Sequence, residues 1–275
     1  MALPFVPSDA GMLALQAATV LGPRPIARPG WMNRFRGRGW AFVPIGSIVV
    51  VIFAIRYVSS TATALTWLAL IAVPILAAVA LGWAMRGARP WAALAAVPLF
   101  VLAWTIKTSL VGEASAAVLS ALSCVTLGVL LAAVTPPSWL KAGIVLMAAA
   151  DVWLVVSDLL QTPNATLVAA APPAGLPQLQ SELFGTISLG YGDLFVAALL
   201  GAVLAAQWHR QWQAALLTLA IAAVFDLLFF FISELPATVP VALALIVMEA
   251  AQRVSVARRR RRPSMRADAI PRQAR

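Results

Sequence analysis

Long runs of apolar residues, almost free of charge, are what most constrain this chain. One reads from Ala62 to Met85, another from Ala114 to Val134, and a third from Leu216 toward Phe231 is broken only by Asp226. The hydrocarbon core of a bilayer takes about 20 apolar residues per helix. Backbone polar groups in lipid must be satisfied inside the protein, which leaves helices or a closed barrel. The runs are continuous rather than alternating, and that selects helices. Composition agrees: 62% of the residues are hydrophobic and 11% charged, where a water-soluble domain carries roughly 25% charged residues. The expected fold class is therefore all-α, a polytopic transmembrane helical bundle of about eight spans.

The spans read as 41–58, 62–85, 91–108, 114–134, 138–160, 184–207, 212–232 and 236–253. They divide the chain into a basic N-terminal arm (1–40), a transmembrane domain (41–253) and an Arg-rich tail (254–275). Within the arm, Gly11 to Leu21 is weakly apolar and reads as an interfacial helix or the remnant of a further span.

Lys and Arg in the loops set orientation, being favoured on the cytoplasmic side. Arg24, Arg28, Arg34, Arg36 and Arg38 lie in the arm, Arg86 and Arg89 in the second loop, Lys141 in the fourth, Arg210 in the sixth, and Arg258 to Arg262 in the tail. The alternate connections show Arg56, Lys107 and a long loop, 161–183, with no basic residue. This pattern predicts a multi-pass protein of the cell membrane with both termini cytoplasmic. The net charge of +10 then reads as attraction to anionic membrane lipids, not to nucleic acid. The one cysteine, Cys124, and the one histidine, His209, make neither a disulfide nor a Cys/His metal set. Cys124 reads as a small packing residue.

Carboxylates inside apolar spans are costly and point to function. Asp151, Asp158, Asp193 and Asp226 are of this kind. Asp151 lies nine residues before the outer end of its span at Leu160, and Asp193 nine residues after the outer start of its own at Phe184. At 1.5 Å rise per residue both would sit about 14 Å deep on neighbouring antiparallel helices. Two carboxyls brought that close share one proton. The ionised member can activate water while the protonated one donates to a scissile carbonyl. Asp193 closes the run Gly190-Tyr191-Gly192-Asp193, whose glycines remove Cβ atoms beside the acid. The last span opens Pro236-Ala237-Thr238-Val239-Pro240, where two prolines deny backbone donors and leave carbonyls for an extended peptide. Asp226 is expected to bond a neighbouring helix. Asp158, two turns beyond Asp151, would lie nearer water.

Those three features, in that order, resemble the presenilin and signal peptide peptidase family of intramembrane aspartyl proteases. That family carries Tyr-Asp, Gly-x-Gly-Asp and Pro-Ala-Leu-Pro in its last four spans; residues 138–253 correspond. Gly-x-Gly-Asp is intact here. Ala150 stands where the family has tyrosine, the proline motif has one extra residue, and the family has nine spans. The resemblance implies catalysis by Asp151 and Asp193. It implies a substrate cleft shaped by Gly190, Tyr191, Gly192, Pro236, Ala237 and Pro240, a transmembrane helix as substrate, and no metal or organic cofactor. Type IV prepilin peptidase shares Gly-x-Gly-Asp but offers no counterpart for the proline motif. A proton-linked transporter using the same aspartates, or a structural membrane protein, is the reading from a different class.

Overall fold

The computed structural model describes residues 5–26, 30–57, 60–157, 166, 176–179, 181–185, 187–230 and 235–260. Nine α-helices are found among them: α1 (Phe5–Leu21), α2 (Val43–Tyr57), α3 (Thr61–Val79), α4 (Ala96–Thr105), α5 (Leu110–Val134), α6 (Pro137–Val156), α7 (Tyr191–Leu204), α8 (Trp208–Phe225) and α9 (Thr238–Arg260). A two-stranded antiparallel hairpin, β1 (Ser181–Phe184) and β2 (Ile187–Gly190), precedes α7. The protein is a helical membrane protein by the build of these elements. Five helices among the described residues are long and apolar enough to cross a bilayer, and three shorter ones are apolar. Large apolar side chains such as Val50, Leu68, Val97 and Val224 are exposed on its outside.

Local sequence explains several boundaries. Ser109 caps α5, its hydroxyl accepting from the Gly112 N–H at 3.2 Å, which satisfies one orphan donor of the first turn. Pro136 and Pro137 open α6, where a missing N–H costs nothing. After α3 the helix widens to a π turn over Ala80–Ala84. The chain then reverses near Gly87, whose φ of 73° suits glycine. The hairpin reverses at Gly185, φ 64°, as a two-residue connection requires. The Gly185 N–H donates to the Glu113 carboxylate at 2.7 Å, tying the turn to the first turn of α5.

Helix α7 lies at the centre. Leu194, Val196 to Leu200, Gly201 and Leu204 are all buried, against α5, α1, α6 and α9. Two glycines make this closeness possible. A Cβ on Gly128 of α5 would lie 2.9 Å from the Ala198 backbone of α7, and one on Gly201 would strike the Val20 carbonyl of α1. Small residues at such crossings are the usual means of helix association where lipid gives no hydrophobic drive. Polar side chains add to it: the Thr126 hydroxyl of α5 donates to the Leu76 carbonyl of α3 at 2.7 Å.

The bundle has two chemically distinct ends. At one, Arg86 donates to Gln211 and to the Ala205 carbonyl, while the Gln211 amide donates to the carbonyls of Val20 and Pro23 at 2.9 Å each. Lys141 and Arg210 reach Glu249 of α9 at 2.7 and 3.4 Å. At the other end lie the hairpin, the start of α1, the end of α8 and the start of α9.

Three sequence expectations change. Within the expected arm, residues 5–21 form a helix packed on α8, α7 and α5, longer than the 11–21 segment read as an interfacial helix or remnant span; the weak apolarity that disguised it reflects polar groups buried among protein, among them Ser8, Gln16 and Thr19. The sixth span does not begin at Phe184, because 181–190 is a hairpin and the helix starts at Tyr191. The last helix runs on to Arg260, past the expected start of the tail at 254. Residues 158–160, most of loop 161–183, and 261–275 lie outside the described residues.

Gly201→Ala should lower stability by about 1–3 kcal/mol through overpacking. Gly46→Ala, where a Cβ meets nothing within 4 Å, should be neutral or stabilising. Thermal unfolding of both variants in detergent checks this; equal midpoints would show that α1 and α7 are not in close contact.

Candidate active site around the Gly-Tyr-Gly-Asp turn

Gly190 ends β2 and caps α7 in extended conformation, φ −73°, ψ 144°. The Asp193 carboxylate, three residues on, folds back to accept the Gly190 N–H at 3.0 Å. A carboxylate in the first turn also faces the positive end of the helix dipole. The two glycines differ in what they allow. A Cβ on Gly190 would meet Asp193 Oδ2 at 3.0 Å, whereas one on Gly192 would point into open space. Gly190 thus makes room for the acid itself, and Gly192 leaves the surface beside it clear.

Tyr191 faces α5 and anchors the turn. Its hydroxyl lies 2.7 Å from Ser123 Oγ, and its carbonyl accepts from the buried Cys124 thiol at 3.6 Å. The cysteine expected to fill space does so, and also holds this carbonyl.

Asp151 lies on α6, five residues before its last residue, Val156. The Thr238 hydroxyl, at the first residue of α9, donates to Asp151 Oδ2 at 2.6 Å. Asp193 is two residues past the start of α7. Helices α6 and α7 run in opposite directions, so both acids lie within about two turns of the same end of the bundle. The mid-membrane depth reckoned from helix lengths does not hold, because the hairpin takes the place of the first turns assigned to the sixth span.

The proline segment lies between the two acids. Val239 N–H closes a turn on the Pro236 carbonyl at 3.2 Å, and Pro240 falls in the first turn of α9, where its missing N–H is harmless. The Ala237 carbonyl, expected to be open to a peptide, accepts from the Gln16 amide of α1 at 2.9 Å. A cavity of about 80 Å³ beside it is lined by Asp193, Ala237, Pro240, Gln16, Asp9 and Asp226, with apolar neighbours. Asp9 of α1 and Asp226 at the end of α8 face each other across this cavity. Asp226, expected to bond a neighbouring helix, lies opposite α1, and its Oδ2 is buried without a hydrogen-bond partner among the described residues.

Among the expected site residues, Asp193, Ala237 and Pro240 line one cavity, and Asp151 joins the same segment through Thr238. Gly190, Tyr191, Gly192 and Pro236 flank it without lining it. Asp158 lies outside the described residues. Asp9, Gln16 and Thr238 were not anticipated. Thr238 stood inside the proline motif with a hydroxyl to offer, and Asp9 and Gln16 stood at a spacing of seven, one face of a helix.

Thr238→Val and Asp151→Ala should be non-additive in unfolding free energy by about 1 kcal/mol or more, as expected for a directly bonded pair. A double-mutant cycle in detergent measures it, and additivity would deny the contact.

No protein-family model, no curated protein and no solved structure matches the chain.

Proposed function

We propose that the chain is an intramembrane aspartyl protease of the Gly-x-Gly-Asp type, with Asp151 and Asp193 as the acid pair and a transmembrane helix as substrate. The observation that supports this best is the placement of the proline segment. It bonds Asp151 through Thr238 and lines a cavity with Asp193 through Ala237 and Pro240. Three stretches far apart in sequence thereby converge on one end of the bundle, at a helix start whose outer side, at Gly192, is clear. In this reading the ionised carboxyl takes a proton from water and the water oxygen attacks the scissile carbonyl. The protonated carboxyl donates to the carbonyl oxygen, and the tetrahedral intermediate collapses as the amine leaves with a proton. A site near the bundle end gives water a short path. The substrate must unwind locally before its backbone reaches the pair.

The Asp9–Asp226 pair favours a second reading, a proton-linked transporter in which these carboxyls carry protons through the bundle. The two readings separate by mutation. For a protease, Asp151→Asn and Asp193→Asn should each reduce cleavage of a model transmembrane peptide in lipid to background. The double variant should be little worse, because the pair acts as a unit, and Asp226→Asn should be milder. Undiminished cutting by both single variants would end the protease reading. Solute flux lost with Asp9→Asn or Asp226→Asn would favour the transporter.

Orientation follows from the two ends. The end bearing Arg86, Lys141 and Arg210 faces the cytoplasm, and α9 leads there toward the arginine run. Because α1 begins at the opposite end and runs toward Arg86, Phe5 is external in this reading. This reading departs from the expectation that both termini are cytoplasmic, which left α1 out of the bundle. With Cys124 replaced by Ala, Val6→Cys should label from outside intact cells and Gln252→Cys only after permeabilisation. The reverse pattern would invert the orientation.

A further inference from the structure

At the basic end, a cavity of about 450 Å³ opens between the ends of α5 and α7 and the start of α6. Its lining is more apolar than polar, with Val129, Ala132, Leu140, Ala202 and Val203 among the walls and Arg24 at one side. Pro25 and Pro137 also line it and have no N–H to give. The nearby Ala205 carbonyl is already taken by Arg86. The volume is that of an ordinary small-molecule site, roughly 300–1,000 Å³.

Arg24 is held there by its backbone. Its N–H donates to the Ala84 carbonyl at 3.1 Å, Pro23 bridges Met85, and the Pro23 carbonyl accepts from Gln211. Its guanidinium, by contrast, has no carboxylate or carbonyl partner among the described residues. The neighbouring cations are engaged: Arg86 with Gln211 and Ala205, and Lys141 and Arg210 with Glu249. No carboxylate lines the cavity. Exposed Arg34, Arg36 and Arg38 lie in the segment that docks beside it through the Gly37 N–H on the Val134 carbonyl at 3.1 Å. Among the described residues the site therefore presents one cation, Arg24, on an anchored backbone and without a carboxylate or carbonyl partner, at the level where headgroups lie, above a mainly apolar slot between helices.

We infer that this cavity is a binding site for one anionic phospholipid, its phosphate on Arg24 and one acyl chain between α5, α6 and α7. An arginine fork matches phosphate oxygens, and basic pockets between helices on the cytoplasmic side suit anionic headgroups. A bound lipid would wedge three helix ends, two of which carry the acid pair at their far ends. The assignment is independent of what those acids do.

The test uses the full chain, stripped of lipid in detergent and offered equimolar phosphatidylglycerol and phosphatidylcholine, with retained lipid counted by native mass spectrometry. The parent should keep one phosphatidylglycerol in preference. R24Q should weaken that retention about tenfold, the loss of one charge-assisted contact. A132F, or A206F at the exposed rim, should weaken it with Arg24 intact, because the slot is filled. R34Q should retain it, and millimolar inorganic phosphate should not displace it. Unchanged retention by R24Q together with A206F, both melting like the parent, would overturn the site. Equal retention of phosphatidylcholine would overturn the headgroup assignment. Displacement by inorganic phosphate would reduce the cavity to a plain anion site and overturn the lipid.

Discussion

A polar group away from water must find its partner within the protein, and this bundle is held in register by a few side chains that meet that demand. Gln211 is the centre of one such set. It accepts from Arg86 and donates to the backbone where α1 ends, so that α1, α8 and the turn that follows α3 and its π segment are fastened at one point. Glu249 does the same for α6, α8 and α9 through Lys141 and Arg210. At the far end the partners are Gln16 with Ala237, Thr238 with Asp151, and Glu113 with Gly185. Each joins elements distant in sequence, and each would be left unpaired by a slip of one helix along another. Between the two ends contact is mainly carbon against carbon, at distances set by Gly128 and Gly201, with Thr126 on the Leu76 carbonyl as a polar exception.

What the sequence made legible followed from lipid. Hydropathy marks helices that meet hydrocarbon, and all eight expected segments contain an apolar helix. It fails for elements that bury polar groups against protein. Helix α1 carries Ser8, Asp9, Gln16 and Thr19, which depress its apolarity, and each of these faces another part of the chain. The hairpin is hidden for a related reason. Phe184, Ile187 and Leu189 are as apolar as the helix they precede, and a four-residue strand gives too short a pattern to tell from a helix start. The acidic residues of interest were legible as unusual charges. Their surroundings were not, because Thr238 and Gln16 become meaningful only once α1 and α9 are placed together.

The hairpin also decides where the candidate acids lie. With fourteen residues, α7 is about 21 Å long, shorter than the roughly 30 Å hydrocarbon core. Surrounded by other helices, it need not match the bilayer. The shortfall falls at the end where β2 enters, and there the Asp193 carboxylate is met by a backbone N–H and not by lipid.

The enclosure of α7 has one more consequence, for how this chain can vary. A helix facing lipid tolerates almost any apolar exchange, since acyl chains reshape themselves around it. Helix α7 is packed against other helices from Leu194 to Gly201, so volume governs it there instead. A larger apolar side chain, harmless at an outward position of α3 or α4, would displace a backbone at Val196 or Ala198. Substitutions in this chain should therefore accumulate as concentric shells, free at the rim and nearly frozen along the axis. The axial helix would drift mainly by paired changes with α1 and α5, a loss of volume on one matched by a gain on the other.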